Sequence, residues 1–419
     1  MPMARRVRPT TVLLFAVACL GAANASCNRL RHVNYPSVEL FSEKWSEPSV
    51  PPGTYPDSDR AAVDGLANAL AGKPVPVPPA TGLPTKPLNV LALSAGGKYG
   101  AYSAGVLCGW TESGTRPTFD VVTGVSTGAI LALYAFQGSQ YDGKLKKFFT
   151  TTKGSDLFRT RPVRNLVRYG SISTADGLKK IIDEEVTAQF LCELRASHMA
   201  GRRLFIGTLN AHTKRLIIWD IGAVACSGRP DADDFVRKII LAACAIPGMV
   251  PPVEFDVIVN GKRYQEVHTD GGAVTQTFMK FGPNVTPAPG TQWLAGSNLY
   301  AISAGKLYAD PTDGRLNLLD QISASVSASL YALYRVELLK LYTLCVTSGM
   351  TYQLVVVPDE VRGSPRSMLI EPVEMTNLFN VGVKQASGGV PWRMLPPGAE
   401  LGEEETPRTG TTFTSPSGR

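Results

Sequence analysis

Two short runs in this chain are almost wholly apolar, and each breaks into a turn that carries glycine. LNVLALS (88–94) leads into AGGKYG, and FDVVTGV (119–125) leads into STG. Each turn opens at once into an apolar helix-forming stretch, YGAYSAGVLCGWTESG after the first and TGAILALYAF after the second. A strand that is apolar on both sides has no face to give to water, so it belongs inside a sheet covered above and below. A helix that follows the strand directly returns the chain for a parallel neighbour, and the pattern therefore predicts an α/β fold around a mainly parallel central sheet.

Later segments continue the alternation. STADGLKKIIDEEVTAQF reads as an amphipathic helix, RRLFIGTLNAHTKRLIIWDI as paired strands, and DADDFVRKIILAACA as a helix opening on acidic residues. VIVNGKRYQEV carries Asn260-Gly261 between apolar-rich flanks, the signal of a two-residue hairpin. NLYAISAG and TYQLVVVP read as strands on either side of a long helix, LNLLDQISASVSASLYALYRVELLKLY. No internal repeat is visible.

The flanks differ in character. Residues 1–26 pair a basic start with a short apolar stretch from Val12 to Leu20 and small residues at Ala23 and Ala25, an export signal too short to span a bilayer. Cleavage after Ala25 competes with a lipoprotein cut before Cys27, whose thiol would then carry lipid. The expected location is outside the cytoplasm, either periplasmic, membrane-anchored or secreted. Residues 27–88 are a tether rich in proline over its second half, 89–387 the working domain, and 388–419 a tail expected to be disordered at its end. The formal net charge is +7, and Arg5, Arg6 and Arg8 leave with the signal, so the mature chain is nearer +4. A charge this mild, without basic blocks interleaved with aromatics, argues against nucleic acid as a partner. The basic cluster 159–168 reads first as solvated surface and second as a contact for an anionic headgroup. Beyond Cys27, the cysteines at 108, 192, 226, 244 and 345 are scattered without zinc-ligand spacing, so neither a metal nor a cofactor is expected. Cys108 and Cys244 read as buried free thiols.

The chemistry starts at Gly124-Val-Ser-Thr-Gly128. At a strand-to-helix junction, a serine between glycines is forced into a strained turn that presents its hydroxyl, which makes Ser126 a candidate nucleophile. The plainer reading is a helix N-cap. In the first turn, the amides of Gly96, Gly97 and Lys98 can converge on a developing oxyanion, or on a phosphate. No Lys-Ser or Lys-Thr follows as a Walker-type loop demands. A serine needs a base, and after the signal the histidines are His32, His198, His212 and His268. His268 lies two residues before Asp270, which Gly271 and Gly272 follow, so both side chains would point to one side of a strand. A Ser-His-Asp triad and direct transfer from Ser126 to Asp270 both remain open from spacing. The plainer readings are a surface or strand-face histidine and a turn aspartate bonding its own backbone.

Taken together, GAYSAGVL, GVSTG, AACAIPGMVPPVEF (242–255) and DGGAV (270–274), in this order, resemble the patatin-like phospholipase family in its bacterial branch, over most of 90–275. The resemblance implies a three-layer α/β/α sandwich and a Ser-Asp dyad that needs no histidine and no metal. It makes Ser126 the nucleophile, Asp270 the base, and Gly96, Gly97 and Lys98 the oxyanion loop. The implied activity is hydrolysis of fatty-acyl esters of phospholipids or lysophospholipids, with a membrane surface as the place of work. One departure stands out: where the family loop has a run of glycines and then an arginine, this chain has Ala95 and Tyr99. Ala95 is tolerated if its φ is negative, and Lys98 is the nearest replacement for the missing cation. The competing readings are an inactive lipid- or partner-binding relative and, more distantly, a phosphate-binding domain.

Overall fold

The computed structural model describes residues 86–161, 171–259, 261–280, 292–310, 318–361, 370–400 and 403. The export signal, Cys27, His32, nearly all of the proline-rich tether and most of the basic cluster lie outside the described residues.

The fold is α/β, and an eight-stranded sheet forms its centre. The strands are β1 (Asn89–Leu93), β2 (Val121–Val125), β3 (Arg203–Asn210), β4 (Arg215–Asp220), β5 (Val253–Val259), β6 (Lys262–Asp270), β7 (Asn298–Ile302) and β8 (Thr351–Val355). They lie in the order β8-β7-β1-β2-β3-β6-β5, with β4 also paired to β3. From β8 to β3 all pairs are parallel. β4, β6 and β5 run antiparallel to their neighbours. The β5–β6 register closes from Val259 to Lys262, with Gly261 at φ 76°, so the expected hairpin forms.

The helices are α1 (Gly100–Glu112), α2 (Thr127–Gln137), α3 (Asp142–Thr151), α4 (Asp176–Glu185), α5 (Ala188–Met199), α6 (Ala232–Ala243), α7 (Leu318–Ser348) and α8 (Pro372–Ala386). Successive strand residues point to opposite faces, and the two cores divide accordingly. Leu91 and Leu93 of β1 pack with residues of α1, α2, α6 and α8. Val90 and Ala92 pack instead with Tyr334, Leu338 and Leu341 of α7, so this single helix supplies most of the third layer. α1 and α8 approach so closely that a Cβ at Gly105 would stand 2.0 Å from the Phe379 carbonyl oxygen. Only hydrogen fits there.

Two expectations change, and one helix appears that was not anticipated. The segment 173–190 is not one helix, because Thr187 caps a new one, its hydroxyl accepting from the Phe190 amide at 3.2 Å. The helix over 372–386 was not legible from apolar periodicity. The domain does not end at residue 387: Trp392 lies 4.9 Å from Trp110 and 5.3 Å from Tyr300, ring centre to ring centre. Arg393 and Leu354 also exchange two backbone hydrogen bonds of 2.8 Å. One aromatic anchor and one ladder rung thus hold a proline-rich stretch to the body. Among the described residues no helix is long and apolar enough to cross a membrane.

Candidate active site

The site is created by a change of partner along one edge of β3. From Arg203 to Gly207 that edge pairs with β2, which ends with Val125 opposite Gly207. From Thr208 it pairs with β6, Asp270 lying opposite Thr208. The other edge is taken by β4 from Phe205 to Asn210, so β2 and β6 share one edge and meet end to end. Ser126, the residue after β2, and Asp270, the last of β6, are thereby brought face to face. The Ala245 carbonyl in AACAIPG fixes the Asp270 amide at 2.9 Å, which gives that motif a structural task.

Ser126 holds φ 54° and ψ −125°, and Lys214 is the only other non-glycine residue with positive φ among those described. The conformation costs on the order of 1–3 kcal/mol and turns the side chain out of the strand. Glycine neighbours are demanded by space: a Cβ at Gly124 would lie 2.3 Å from the Gly128 carbonyl oxygen, and one at Gly128 would lie 2.4 Å from that of Leu93. The N-cap reading of Ser126 fails, because its hydroxyl makes no cap bond. It donates instead to Asp270 Oδ2 at 2.5 Å.

Asp270 uses its two oxygens differently. Its Oδ1 accepts the Gly272 amide at 2.8 Å, as a turn aspartate does, while Oδ2 is left for Ser126. Gly271 and Gly272 form the single turn that makes this possible. Burial pushes the Asp270 pKa from 3.8 up to about 6, against the pull of the Ser126 and Gly272 hydrogen bonds. Cys244, whose thiol bonds the Ser126 carbonyl at 3.6 Å, is pushed up by burial and by Asp270, and stays neutral.

His268 is brought close in sequence but spent elsewhere. Its ring is fully buried, with Nδ1 2.9 Å from Thr208 Oγ1 and Nε2 3.1 Å from Glu266 Oε2. Trp219 and Phe255 pack around it. Both ring nitrogens are thus engaged by groups other than Ser126 and Asp270.

In the glycine-rich loop, Gly97 has φ 56°, and Gly96 is so tight that a Cβ would fall 1.7 Å from the Ala304 carbonyl oxygen. The amides of Gly96 and Gly97 donate to no group among the described residues. Ala95 does not have positive φ, which removes the objection to it. Lys98 departs from expectation: its side chain is buried and its ammonium pairs with Glu374 at 2.6 Å, so it is tied to α8 instead of standing in for the missing arginine. Tyr99 is half-buried, which pushes its phenol up to about 12.

Gly97 and Ser126 help to line a pocket of about 70 Å³, whose walls also include Ile130, Phe148, Phe158, Cys244, Ile370 and Met375. Ile130, Phe148 and Met375 come from α2, α3 and α8, and Phe158, Cys244 and Ile370 from the segments between helices; the sequence reading missed these contributions, for which the paired Phe148-Phe149 on α3 was the available signal. Thr127 was missed too. It opens α2 directly after Ser126, where the first amides of a helix lack intrahelical partners and carry its positive end. No group of three or more His, Cys, Asp or Glu side chains able to hold a metal occurs among the described residues.

Residues 91–278 match the family model for patatin-like phospholipase. No curated protein matches the chain. Among solved structures, VipD from Legionella pneumophila aligns at 13% identity and a TM-score of 0.36, over 72% of this chain and 66% of that one. The type III effector protein ExoU aligns at 14% identity and a TM-score of 0.26, over 73% and 53%. The chain thus spans less than two thirds of either neighbour's length, and at these scores neither carries an argument about its chemistry.

Proposed function

We propose, from the match of residues 91–278 to the patatin-like phospholipase family model, that the protein is a serine acyl hydrolase cleaving fatty-acyl esters of phospholipids or lysophospholipids through Ser126 and Asp270. The observation that carries this reading is the 2.5 Å bond from the strained Ser126 hydroxyl, which lines an apolar pocket, to a desolvated Asp270 carboxylate. Ser126 Oγ attacks the ester carbonyl carbon as its proton passes to Asp270 Oδ2. The charge on the carbonyl oxygen is received by the free amides of the Gly96-Gly97 loop and by the N-terminus of α2 at Thr127. Collapse of this intermediate expels the alcohol, which takes the proton from Asp270 and leaves an acyl-Ser126. Water, deprotonated by Asp270, then attacks the acyl-enzyme, and the second intermediate collapses to free fatty acid as Ser126 Oγ leaves and takes the proton back from Asp270. Ile130, Phe148 and Met375 hold the chain near the ester and exclude water, which keeps Asp270 a usable base.

We also place the domain outside the cytoplasm, where the export signal and the Cys27 lipobox would put it against a membrane surface. Mass spectrometry of the mature N-terminus tests this; an unmodified start at Ser26 refutes lipidation.

The test of function is release of fatty acid from phosphatidylcholine and lysophosphatidylcholine, and of nitrophenol from p-nitrophenyl esters, by the wild type and by Ser126→Ala. Release by the wild type alone supports the reading. Release by neither, with both folded, replaces it with a lipid-binding relative that has lost activity through the Ala95 and Tyr99 changes.

A further inference from the structure

We propose that Glu337, on α7 across the sheet from the helix that Ser126 opens, is the positioning residue that holds the oxyanion loop and the base turn in register. The proposal rests on the acyl-transfer reading of Ser126 and Asp270.

The face of α7 turned to the sheet is otherwise built from Tyr334, Leu338, Leu341 and Cys345. A carboxylate in that setting is costly unless it is well bonded. Glu337 is only 9% exposed. Burial pushes its pKa up, while the amides it accepts pull it down. Those amides belong to Gln276 and Thr277, at 2.7 and 3.1 Å from Glu337 Oε2.

Gln276 is the junction of the site. Its carbonyl accepts the Ala95 amide at 2.8 Å, immediately before Gly96 and Gly97. Its side-chain Nε2 donates to the Gly272 carbonyl, and the Gly272 amide donates in turn to Asp270 Oδ1 at 2.8 Å. One buried carboxylate therefore fixes a segment outside any helix or strand to which both halves of the machinery are tied. Glu337 touches neither the substrate nor the reacting atoms. It acts by setting where the loop amides stand relative to the carboxylate that takes the Ser126 proton, and displacements of about 1 Å in such constellations cost about a hundredfold in rate.

The Ile130, Phe148 and Met375 walls of the acyl pocket make none of these bonds, so substrate affinity should be spared. In the full chain, Glu337→Leu should lower kcat on p-nitrophenyl butyrate by about ten- to a hundredfold at nearly unchanged KM, and slow fluorophosphonate labelling of Ser126 in proportion. Glu337→Gln keeps an oxygen able to accept both amides, so it should stay within about threefold of wild type. Should the leucine variant fail to fold, Gln276→Met tests the same link, since it removes only the side-chain tie to Gly272; it should lose about three- to tenfold in kcat. Wild-type kcat in folded Glu337→Leu or in Gln276→Met overturns the proposal. So does an equal loss in Glu337→Leu and Glu337→Gln, which would make the charge, and not the accepting geometry, the cause. Activity surviving in Ser126→Ala would overturn the site itself, an outcome distinct from any result at Glu337.

Discussion

Replacing Asp270 by asparagine should destroy activity and strengthen the fold, and pH should decide by how much. The carboxylate lies buried with a pKa raised from 3.8 to about 6. A group whose folded pKa lies above its unfolded value binds its proton more tightly in the native state. Its contribution to stability is therefore complete below pH ~3.8 and is lost as pH rises through about 6. Above that the ionised group costs about 3 kcal/mol relative to a neutral isostere, from 1.36 kcal/mol for each tenfold change in proton affinity. The asparagine side chain would be that isostere. At pH 7.5 the variant should be more stable than wild type by about 3 kcal/mol, and the gap should close below pH 4. Urea unfolding of both proteins at pH 4, 5, 6 and 7.5 measures it, and groups shared by the two chains, His198 among them, cancel in the difference. A gap that does not change with pH, or a variant weaker than wild type at pH 7.5, would refute the reasoning. The same titration sets the rate: kcat/KM should fall about tenfold per pH unit below 6, as Asp270 becomes protonated, while Cys244, the other titratable group facing it, stays neutral.

Four further outcomes follow from the geometry. Ser126→Gly should lose fluorophosphonate labelling and gain about 1 kcal/mol in thermal or urea unfolding, because glycine adopts φ 54° without strain. His268→Ala should cost about 2–4 kcal/mol through its lost bonds to Thr208 and Glu266 and the cavity left beside Trp219, yet keep kcat within tenfold; a thousandfold loss in kcat would restore the triad. Gly128→Ala should fail to yield soluble active protein, since its Cβ would lie 2.4 Å from a backbone oxygen that cannot swing away. Phe148→Ala opens the 70 Å³ pocket and should move the preferred p-nitrophenyl ester toward longer acyl chains, read as kcat/KM across a chain-length series.

The sheet was legible because its strands announce themselves locally. LNVLALS, FDVVTGV and TYQLVVVP are short, apolar and bounded by turns, and the structure puts all three in the parallel part of the sheet. Ser126 and Asp270 were legible for a different reason: both sit at turns whose glycines are required by close contact or by the turn itself. What was not legible depends on contacts between residues far apart in the chain. Lys98 read as an available cation because its partner, Glu374, lies 276 positions away. Trp392 read as tail because proline and glycine around it hide an anchor whose partners, Trp110 and Tyr300, belong to distant elements. Glu337 could not be singled out on a helix that carries other polar residues, since its role depends on which amides lie opposite.

The choice between dyad and triad shows why the pairing of strands matters more than the spacing of residues. His268 and Asp270 do lie on one side of β6, as a two-residue interval requires. Both also face the edge of β3, but they meet different residues there: Asp270 stands opposite Thr208, where β2 has just ended, and His268 stands opposite Asn210, two residues further from Ser126. At that distance the ring is taken up by Thr208 and Glu266, and Ser126 has one acceptor within reach. A lone aspartate of ordinary pKa would be a weak base for a hydroxyl. Burial raises its proton affinity by about two orders of magnitude, and the Gly272 amide keeps its second oxygen occupied. In the proposed dyad, desolvation supplies the basicity that a triad obtains from imidazole, at the cost in stability that Asp270→Asn would recover.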